Sequence, residues 1–249
     1  KISVEDCADC FNVDAAIAAF KKQNVKVGEE KTLVLTSDEA KNLISQLEIK
    51  KLPTFVVTGE VTKNNLETFV KSYGEIKNST FVYTKITPLF VNVENGRQIG
   101  KVNITYINDP SCAKCLDLKL TTTSYKKSGV KVGEEKDVLW NSGEAQKIIA
   151  QYKITKVPTF ILSSDADAYP GFSDNWGKIG TKEEDGVYIA RELFLPYRDL
   201  SLGQIVGLVD VIYLADSTCG DCYKPAEVHK SILTQGFAIA IKSERSVDV

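Results

Sequence analysis

The stretch IIAQYKITKVPTF, residues 148–160, repeats LISQLEIKKLPTF, residues 43–55, without a gap. Its apolar residues at helical spacing predict an amphipathic helix, and the apolar run that begins at the proline predicts a buried strand. A second match, VKVGEEK, is identical at residues 25–31 and 130–136. Because both matches recur at a spacing of 105 residues, one structural unit is used more than once.

All six cysteines lie in three C-x-x-C pairs that follow the same repeat. The pairs are Cys7 and Cys10, Cys112 and Cys115, and Cys219 and Cys222. The leading cysteines stand 105 and 107 residues apart, and Pro53 and Pro158 follow the first two by 46 residues. The stretch VDVIYLADSTCGDC at 209–222 starts a third copy, which has no equivalent proline in this chain.

The repeats divide the 249 residues into three predicted units. The first, residues 1–100, has a truncated leading strand, and the second, residues 101–207, is complete. The third, residues 208–249, contains only a strand, a helix and a strand. The sequence leaves open whether the natural protein extends further or another chain supplies the missing pieces. The short, varied segments between units do not resemble flexible linkers, so we expect the units to pack in a fixed relation.

The hydrophobic pattern of one unit alternates between strands and helices. In the second unit, strands are predicted at 102–107, 136–140, 158–162 and 187–193, and helices at 112–127, 142–152 and 172–179. Ser111 and Ser142 are the predicted N-caps of the first two helices. This alternation predicts an α/β fold with parallel strands and right-handed crossovers, in which each unit has a central mixed sheet flanked by helices.

Each leading cysteine is predicted to lie where a strand ends and a helix begins. The free N–H groups and the dipole of a helix N-terminus favour an anion, so they lower the pKa of a thiol placed there. The thiolate is the species that attacks a disulfide, and a second cysteine one turn along can resolve the mixed disulfide. The pattern therefore predicts thiol–disulfide exchange, with the leading cysteines attacking and the second cysteines resolving.

The three C-x-x-C motifs, together with the segments KLPTF and KVPTF, resemble the thioredoxin superfamily. The tandem copies resemble protein disulfide isomerases and the protein disulfide oxidoreductases of archaea. The resemblance implies tandem thioredoxin-like units that exchange disulfides on protein substrates without a dissociable cofactor. It also implies that Pro53 and Pro158 are cis and face the cysteine pairs. The backbone of Leu52 and Val157 would then bind an extended substrate segment by strand addition.

The chain departs from the family's pattern around the cysteines. Where thioredoxins carry a tryptophan before the first cysteine, this chain has Asp6, Ser111 or Thr218, and the buried acid of thioredoxin has no clear counterpart. Lys114 lies between the cysteines of the second pair, where the other two pairs hold an aspartate. A nearby lysine favours a thiolate and a carboxylate disfavours it, so Cys112 is predicted to be the most acidic leading thiol.

Other interpretations of these residues remain open. The disulfides could be structural staples in a non-enzymatic extracellular structural or interaction protein, whose third unit could be completed in trans. Zinc needs four ligands and each unit offers two cysteines, so no metal site is assigned. His229, the only histidine, is expected to be a packed or solvated helix residue. Pro53 and Pro158 could be ordinary residues at the start of a strand.

Composition limits the partners and the location. A net charge of −2 without a basic patch argues against nucleic acid. No apolar run approaches the roughly 20 residues that cross a bilayer. The predicted partners are protein thiols or disulfides and other copies of this chain. Sequons at Asn78 and Asn103, and a start at Lys1 that a removed signal or anchor segment would explain, point to an extracytoplasmic or secreted protein, while a cytoplasmic location stays open.

Overall fold

The computed structural model describes residues 1–63 and 66–249 with their side chains. The chain has a mixed α/β structure that divides into two compact units. The first unit comprises Lys1–Val102, Gly129–Gly133 and Asp165–Phe172, and the second comprises Asn103–Ser128, Glu134–Ser164 and Ser173–Val249. The predicted third repeat lies within the last segment of the second unit. The division into three units by sequence repeats stays a prediction.

The first repeat forms short strands around three helices. Its strands are β1 (Ile2–Ser3), β2 (Leu33–Val34), β3 (Lys51–Leu52), β4 (Val56–Thr58), β5 (Gly74–Lys77), β6 (Thr80–Tyr83), β7 (Phe90–Asn92) and β8 (Gln98–Ile99). Its helices are α1 (Val13–Lys21), α2 (Asp38–Gln46) and α3 (Asn64–Tyr73). β1 pairs parallel with β2, and a bridge between Ile2 and Thr54 connects β1 to the segment that leads into β4. β4, β6 and β5 form an antiparallel sheet in that order.

The second repeat has the same order of strands and α-helices, and its first two strands are longer, with 8 and 9 residues in place of 2 and 2. Its strands are β9 (Lys101–Asn108), β10 (Lys131–Leu139), β11 (Lys156–Val157), β12 (Thr159–Leu162), β13 (Gly180–Lys182), β14 (Tyr188–Ala190), β15 (Tyr197–Asp199) and β16 (Gln204–Val206). Its helices are α4 (Leu118–Lys127), α5 (Gly143–Tyr152) and α6 (Phe172–Trp176). One sheet has the order β10-β9-β12-β14-β13, and β12 pairs antiparallel with both β9 and β14.

The third repeat consists of β17 (Leu208–Ala215), α7 (Pro225–Ser231), a π-helical turn at Ile232–Gly236, and β18 (Ala240–Asp248). β17 and β18 pair parallel, with an irregularity between Val209 and Asp210. This part of the chain thus contains a strand, a helix and a strand in that order, while its status as a separate unit stays a prediction.

The predicted alternation of strands and helices is confirmed, with differences at particular places. Ser142 caps α5 as predicted, because its hydroxyl accepts the N–H of Ala145 at 3.1 Å. The short strands β5 and β13 were not predicted, and they pair antiparallel with β6 and β14. The predicted parallel pairing is therefore present between the first two strands of the first and third repeats, whereas β12 pairs antiparallel with both of its neighbours, β9 and β14.

A hairpin follows the sheet in each of the first two repeats. We call β7 and β8, residues 90–99, strap 1, and β15 and β16, residues 197–206, strap 2. β7 pairs antiparallel with β3, and β15 pairs antiparallel with β11. Each strap thus lies along the strand that leads into Pro53 or Pro158, the proline that follows the leading cysteine by 46 residues. The sequence did not predict these pairs, because strands of two or three residues show no measurable periodicity.

The Pro-Thr-Phe segments connect the sheet to the core in both repeats. Thr54 and Thr159 are buried, and their hydroxyls donate to the carbonyls of Tyr83 and Ala190 at 2.6 and 2.5 Å. The following phenylalanine lies in the core; Phe55 belongs to an aromatic cluster. Burying such a side chain contributes roughly 1.5–3 kcal/mol. In each repeat, the threonine thus binds β6 or β14, and the phenylalanine fills the interior.

Gly180 in β13 provides a test of the packing between β13 and β14 in the sheet of the second repeat. A Cβ atom at this position would lie 1.8 Å from the backbone oxygen of Ile189. We expect Gly180→Ala to destabilise the protein by about 1–3 kcal/mol or more, because the backbone of β14 must move. The measurement is denaturant unfolding. Gly143→Ala is the matched control, since nothing lies within 4 Å of its Cβ position; an equal loss in the control would contradict the steric explanation.

Candidate functional site

Each C-x-x-C pair forms a disulfide, and the described residues include no free cysteine. The bonded Cα atoms lie 5.2, 5.3 and 5.3 Å apart, in chain order of the pairs. In each pair, the N–H of the second cysteine donates to the carbonyl of the first, at 3.2, 3.0 and 3.4 Å. Each motif is therefore a compact turn that the disulfide closes.

These turns precede the helices and are not part of them. The helix N-caps are Asn12, Asp117 and Lys224, each five residues after the leading cysteine. Asp117 takes this position because its carboxylate accepts the N–H of Lys119 at 2.9 Å, which satisfies a free donor of the first turn. The prediction that the leading cysteines lie at helix N-termini is wrong. The helix dipole, which acts within the first turn, is therefore no cause of acidity here.

The three disulfides differ in exposure. Cys112 is buried, with 7% of its surface exposed, whereas Cys222 is exposed. The remaining four are partly exposed, namely Cys7, Cys10, Cys115 and Cys219. Burial disfavours a charged thiolate, which opposes the effect predicted for Lys114. The predicted acidity of Cys112 concerns the reduced protein and stays a prediction.

The residues predicted to bind substrate lie in the interior. The peptide bonds before Pro53 and Pro158 are cis, as the resemblance implied. Both prolines are buried, and Leu52 and Val157 have 0% of their surface exposed. Leu52 stands opposite β7 and Val157 stands opposite β15. The backbone predicted to accept a substrate strand already has a neighbouring strand of its own repeat, so the substrate-binding role stays a prediction.

Each strap also contacts the residue that directly precedes the leading cysteine. In the first repeat, the side-chain amide of Gln98 donates to the carbonyl of Asp6 at 2.8 Å. In the second repeat, Nη2 of Arg198 donates to the hydroxyl of Ser111 at 2.9 Å. The two straps therefore hold the same position of the cysteine loop by different chemistry.

A buried ion pair holds strap 2 against this loop. Arg198 Nε donates to Asp109 Oδ2 at 2.6 Å, and the two side chains are 15% and 1% exposed. Asp109 Oδ1 also accepts the N–H and the hydroxyl of Ser111, at 3.0 and 2.6 Å. Ser111 is therefore part of the loop and does not cap a helix, contrary to prediction. The guanidinium carbon of Arg198 also lies 4.7 Å from the ring centroid of Trp140.

The sequence could have revealed this pair through the internal alignment. Asp109 corresponds to Val4, and Arg198 corresponds to Val91. Both positions change from apolar to charged between the repeats, with opposite signs. Such a joint change indicates contact, although the two residues lie 89 positions apart.

The ion pair predicts a pH dependence of stability. Burial favours the neutral form of Asp109, but hydrogen bonds from Ser111 and Arg198 outweigh it and hold the pKa of this carboxyl below its ordinary value. A lowered folded-state pKa contributes stability above the unfolded-state pKa of about 4, and this stability is lost as pH falls through the folded-state pKa. We expect acid to destabilise the natural chain more than Asp109→Val/Arg198→Val, measured by denaturant unfolding from about pH 7 to 2. Parallel curves would contradict this assignment.

The third disulfide has no strap over it in the part of the chain that the structure describes. Its loop is held locally, since Asp216 accepts the N–H and the hydroxyl of Thr218 at 2.8 and 2.6 Å. Farther along, His229 is exposed in α7, with Nε2 at 2.8 Å from the hydroxyl of Tyr223. The ring of His229 also packs edge-on against that of Tyr223, with centroids 5.4 Å apart. Because Cys222 is exposed and Cys219 is partly exposed, these two residues form the most accessible of the three disulfides.

The described residues hold no group of three or more histidine, cysteine, aspartate or glutamate side chains placed to bind a metal ion. No helix among them combines the length and the apolar character needed to cross a membrane. The chain matches no protein-family model, no curated protein and no solved structure. Its function is therefore inferred from the cysteine loops and the straps.

Proposed function

We propose that this chain is a structural or interaction protein built of disulfide-stapled α/β repeats. One observation carries the proposal: in the first two repeats, the strand edge beside the buried proline is paired with the repeat's own strap. An exchange enzyme that binds extended protein segments needs this edge open, because the substrate adds to it as a strand. In this chain, β7 and β15 fill it.

We propose that the repeats are divergent relatives of the thioredoxin superfamily. The strand order β10-β9-β12-β14 supports this relation, as do the C-x-x-C turn after β9 and the buried proline before β12. The repeats diverge from that superfamily at the cysteine turn and at the strand edge beside the proline. The cysteine turn stands ahead of its helix, and a strap covers the edge that would receive a substrate.

In this proposal, each disulfide fixes the loop between the first strand and the first helix. Closing a ring this small stabilises a protein by about 2 kcal/mol in the chain-entropy model. The contribution is useful where a loop must present a defined surface. Three disulfides within one chain also support an extracytoplasmic location, where disulfides persist.

Thiol–disulfide exchange at the third pair is the second candidate function. Its supporting observation is the exposure of Cys222 on a loop that no strap covers among the residues the structure describes. Exchange needs access to a sulfur atom along the line of attack. In this case, Cys219 and Cys222 act on protein thiols or disulfides, while the first two pairs remain staples.

A reporter assay separates the two candidates. The substrate is a fluorescent peptide mixed disulfide, reduced by dithiothreitol in the presence of the full chain. The staple proposal expects no acceleration by the natural chain. Acceleration that is lost in Cys219→Ser/Cys222→Ser but kept in Cys7→Ser/Cys10→Ser would support exchange at the third pair. Acceleration that requires Cys7 or Cys112 would overturn the proposal.

A further inference from the structure

The first repeat has a threonine at a position where the second repeat has an arginine. Thr84 corresponds to Arg191, because each follows the strand residue whose carbonyl accepts the hydroxyl of the Pro-Thr-Phe threonine. The backbone agrees, since the N–H groups of Thr84 and Arg191 donate to the carbonyls of Tyr73 and Ile179, at 2.9 and 2.8 Å. One position of the fold therefore carries a short side chain in one repeat and a guanidinium in the other.

The contacts of Arg191 show which groups bind a guanidinium at this place. Its Nε donates to the hydroxyl of Thr181 at 2.5 Å, and its Nη2 donates to the carboxylate of Glu183 at 2.8 Å. The carbonyls of Tyr152 and Lys153 accept from Nη2 and Nη1, at 2.8 and 3.4 Å. These carbonyls lie at the end of α5, where the helix dipole favours a cation. The guanidinium is thus bound by a hydroxyl, a carboxylate and the carbonyl end of a helix.

In the first repeat, the equivalent positions line a cavity of ≈ 230 Å³, with Thr84 among its residues. Glu48 corresponds to Lys153 at the repeat spacing of 105 residues, and both have a left-handed backbone at the end of a helix. Glu75 corresponds to Thr181 in the pairing of β5 with β6 and of β13 with β14. The cavity also has three buried apolar residues, namely Ile49, Val82 and Ile86.

Two carboxylates share one ammonium in this cavity. Nζ of Lys77 lies 3.2 Å from Glu48 Oε2 and 3.3 Å from Glu75 Oε1. Within the described part of the chain, the other oxygen of each carboxylate has no ion-pair partner. Acceptors for a second cation are therefore present where the second repeat binds Arg191.

Two further lysines, Lys50 and Lys51, line the cavity. Nζ of Lys51 lies 4.5 Å from the ring centroid of Phe90, which is a cation–π contact. Lys50 is exposed. Among the ion pairs of the described residues, neither lysine is joined to a carboxylate of the cavity. These lysines therefore leave the carboxylate oxygens accessible to a ligand.

We infer that this cavity binds a guanidinium group on an alkyl chain, as the second repeat binds the side chain of Arg191. The planar, forked donors of a guanidinium match carboxylate and carbonyl acceptors, which the point charge of an ammonium does less well. The alkyl chain packs against the apolar residues of the cavity. The guanidinium belongs to an arginine side chain of another protein or to a free alkylguanidine. The inference goes beyond the proposed function, because the described lining residues include no cysteine and no residue of strap 1.

The probe is N-butylguanidinium chloride, titrated into the isotopically labelled full chain and followed by the amide signals of its NMR spectrum. We expect saturable shifts from one bound molecule per chain, centred on residues 48–51 and 75–86. The matched ligand is n-butylammonium chloride, which has the same charge and alkyl chain. It should bind about fivefold more weakly or less, because its donors are not planar.

A peptide, acetyl-Gly-Gly-Arg-Gly-Gly-amide, separates the two sources of the guanidinium. Binding as tight as that of N-butylguanidinium would support the inference with an arginine side chain as the ligand. Binding of N-butylguanidinium without binding of the peptide would support it with a small molecule as the ligand.

Two variants test the assignment of the cavity residues. Thr84→Arg supplies a guanidinium from the chain itself, as Arg191 does, and should abolish binding. Glu75→Gln should weaken binding by about fivefold or more, because a charge-assisted hydrogen bond becomes a neutral one. Both positions are exposed, so both variants should fold, and their spectra verify this. Glu29→Gln is the matched control, since Glu29 is exposed and does not line the cavity; it should bind as the natural chain does.

Absence of saturable binding by N-butylguanidinium, or equal binding of n-butylammonium, would overturn the inference. Binding that Thr84→Arg or Glu75→Gln leaves unchanged would also overturn it. The reporter assay tests the proposed function separately, because it responds only to the cysteines.

Discussion

In the folded protein, graded reduction should open the Cys219–Cys222 disulfide first and the Cys112–Cys115 disulfide last. Attack on a disulfide requires that the reductant reach a sulfur atom. Cys222 is exposed, while Cys112 is buried and its loop is tied to strap 2. We expect the rates of these two pairs to differ on the order of tenfold or more. The measurement is timed alkylation during reduction by dithiothreitol, followed by peptide mass spectrometry.

The local charges favour the opposite order, so the effect of burial can be separated from the effect of charge. The thiolate of the reductant is attracted by Lys114 and repelled by Asp221, each of which lies between the cysteines of its pair. In denaturant, where access is equal, the Cys112–Cys115 pair should therefore open faster. A reversal of the order between folded and unfolded protein would identify burial as the cause. If the Cys112–Cys115 pair opened first in both conditions, the fold would not protect it.

Removal of one partner from the Asp109–Arg198 pair should strongly destabilise the second repeat. Both side chains are largely buried, and breaking a buried pair leaves an uncompensated charge at a cost of about 3–5 kcal/mol. We expect Arg198→Val to show a loss of this order in denaturant unfolding. Tryptophan fluorescence is a suitable signal, because both tryptophans, Trp140 and Trp176, lie in the second repeat.

The first repeat supplies the matched control. It has Val4 and Val91 at the positions of Asp109 and Arg198. The double variant Asp109→Val/Arg198→Val should therefore be more stable than either single variant, because apolar replacement of a buried pair is often neutral. If the two single losses simply add, the residues are not coupled, and the ion pair is not what holds strap 2.

The sequence predicts the fold where the pattern is local and long. The helix capped by Ser142 and the strand that contains Thr159 follow from periodicity and capping, and both are present. The start of α4 was missed because Ser111 was taken as its cap, whereas Asp117 holds that position. Asp109 binds Ser111 into the loop, so the later residue caps the helix.

The pairing of the straps with β3 and β11 could not be predicted from the sequence. β3 and β11 have two residues each, too few to show a strand period. Their partners lie about 40 residues away, so the pairing is decided by tertiary structure. The resemblance suggested a free edge at Leu52 and Val157, and only the pairing register shows that this edge is used internally.

The different chemistry of the two straps also bears on folding fidelity. Tandem repeats with similar sequences are prone to misassembly, in which an element of one repeat docks on the other. If strap 2 docked on the first repeat, Arg198 would lie beside Val4 and would lose the buried carboxylate of Asp109. An unpaired buried charge costs several kcal/mol, so this arrangement is disfavoured. The ion pair thereby favours the docking of strap 2 on its own repeat.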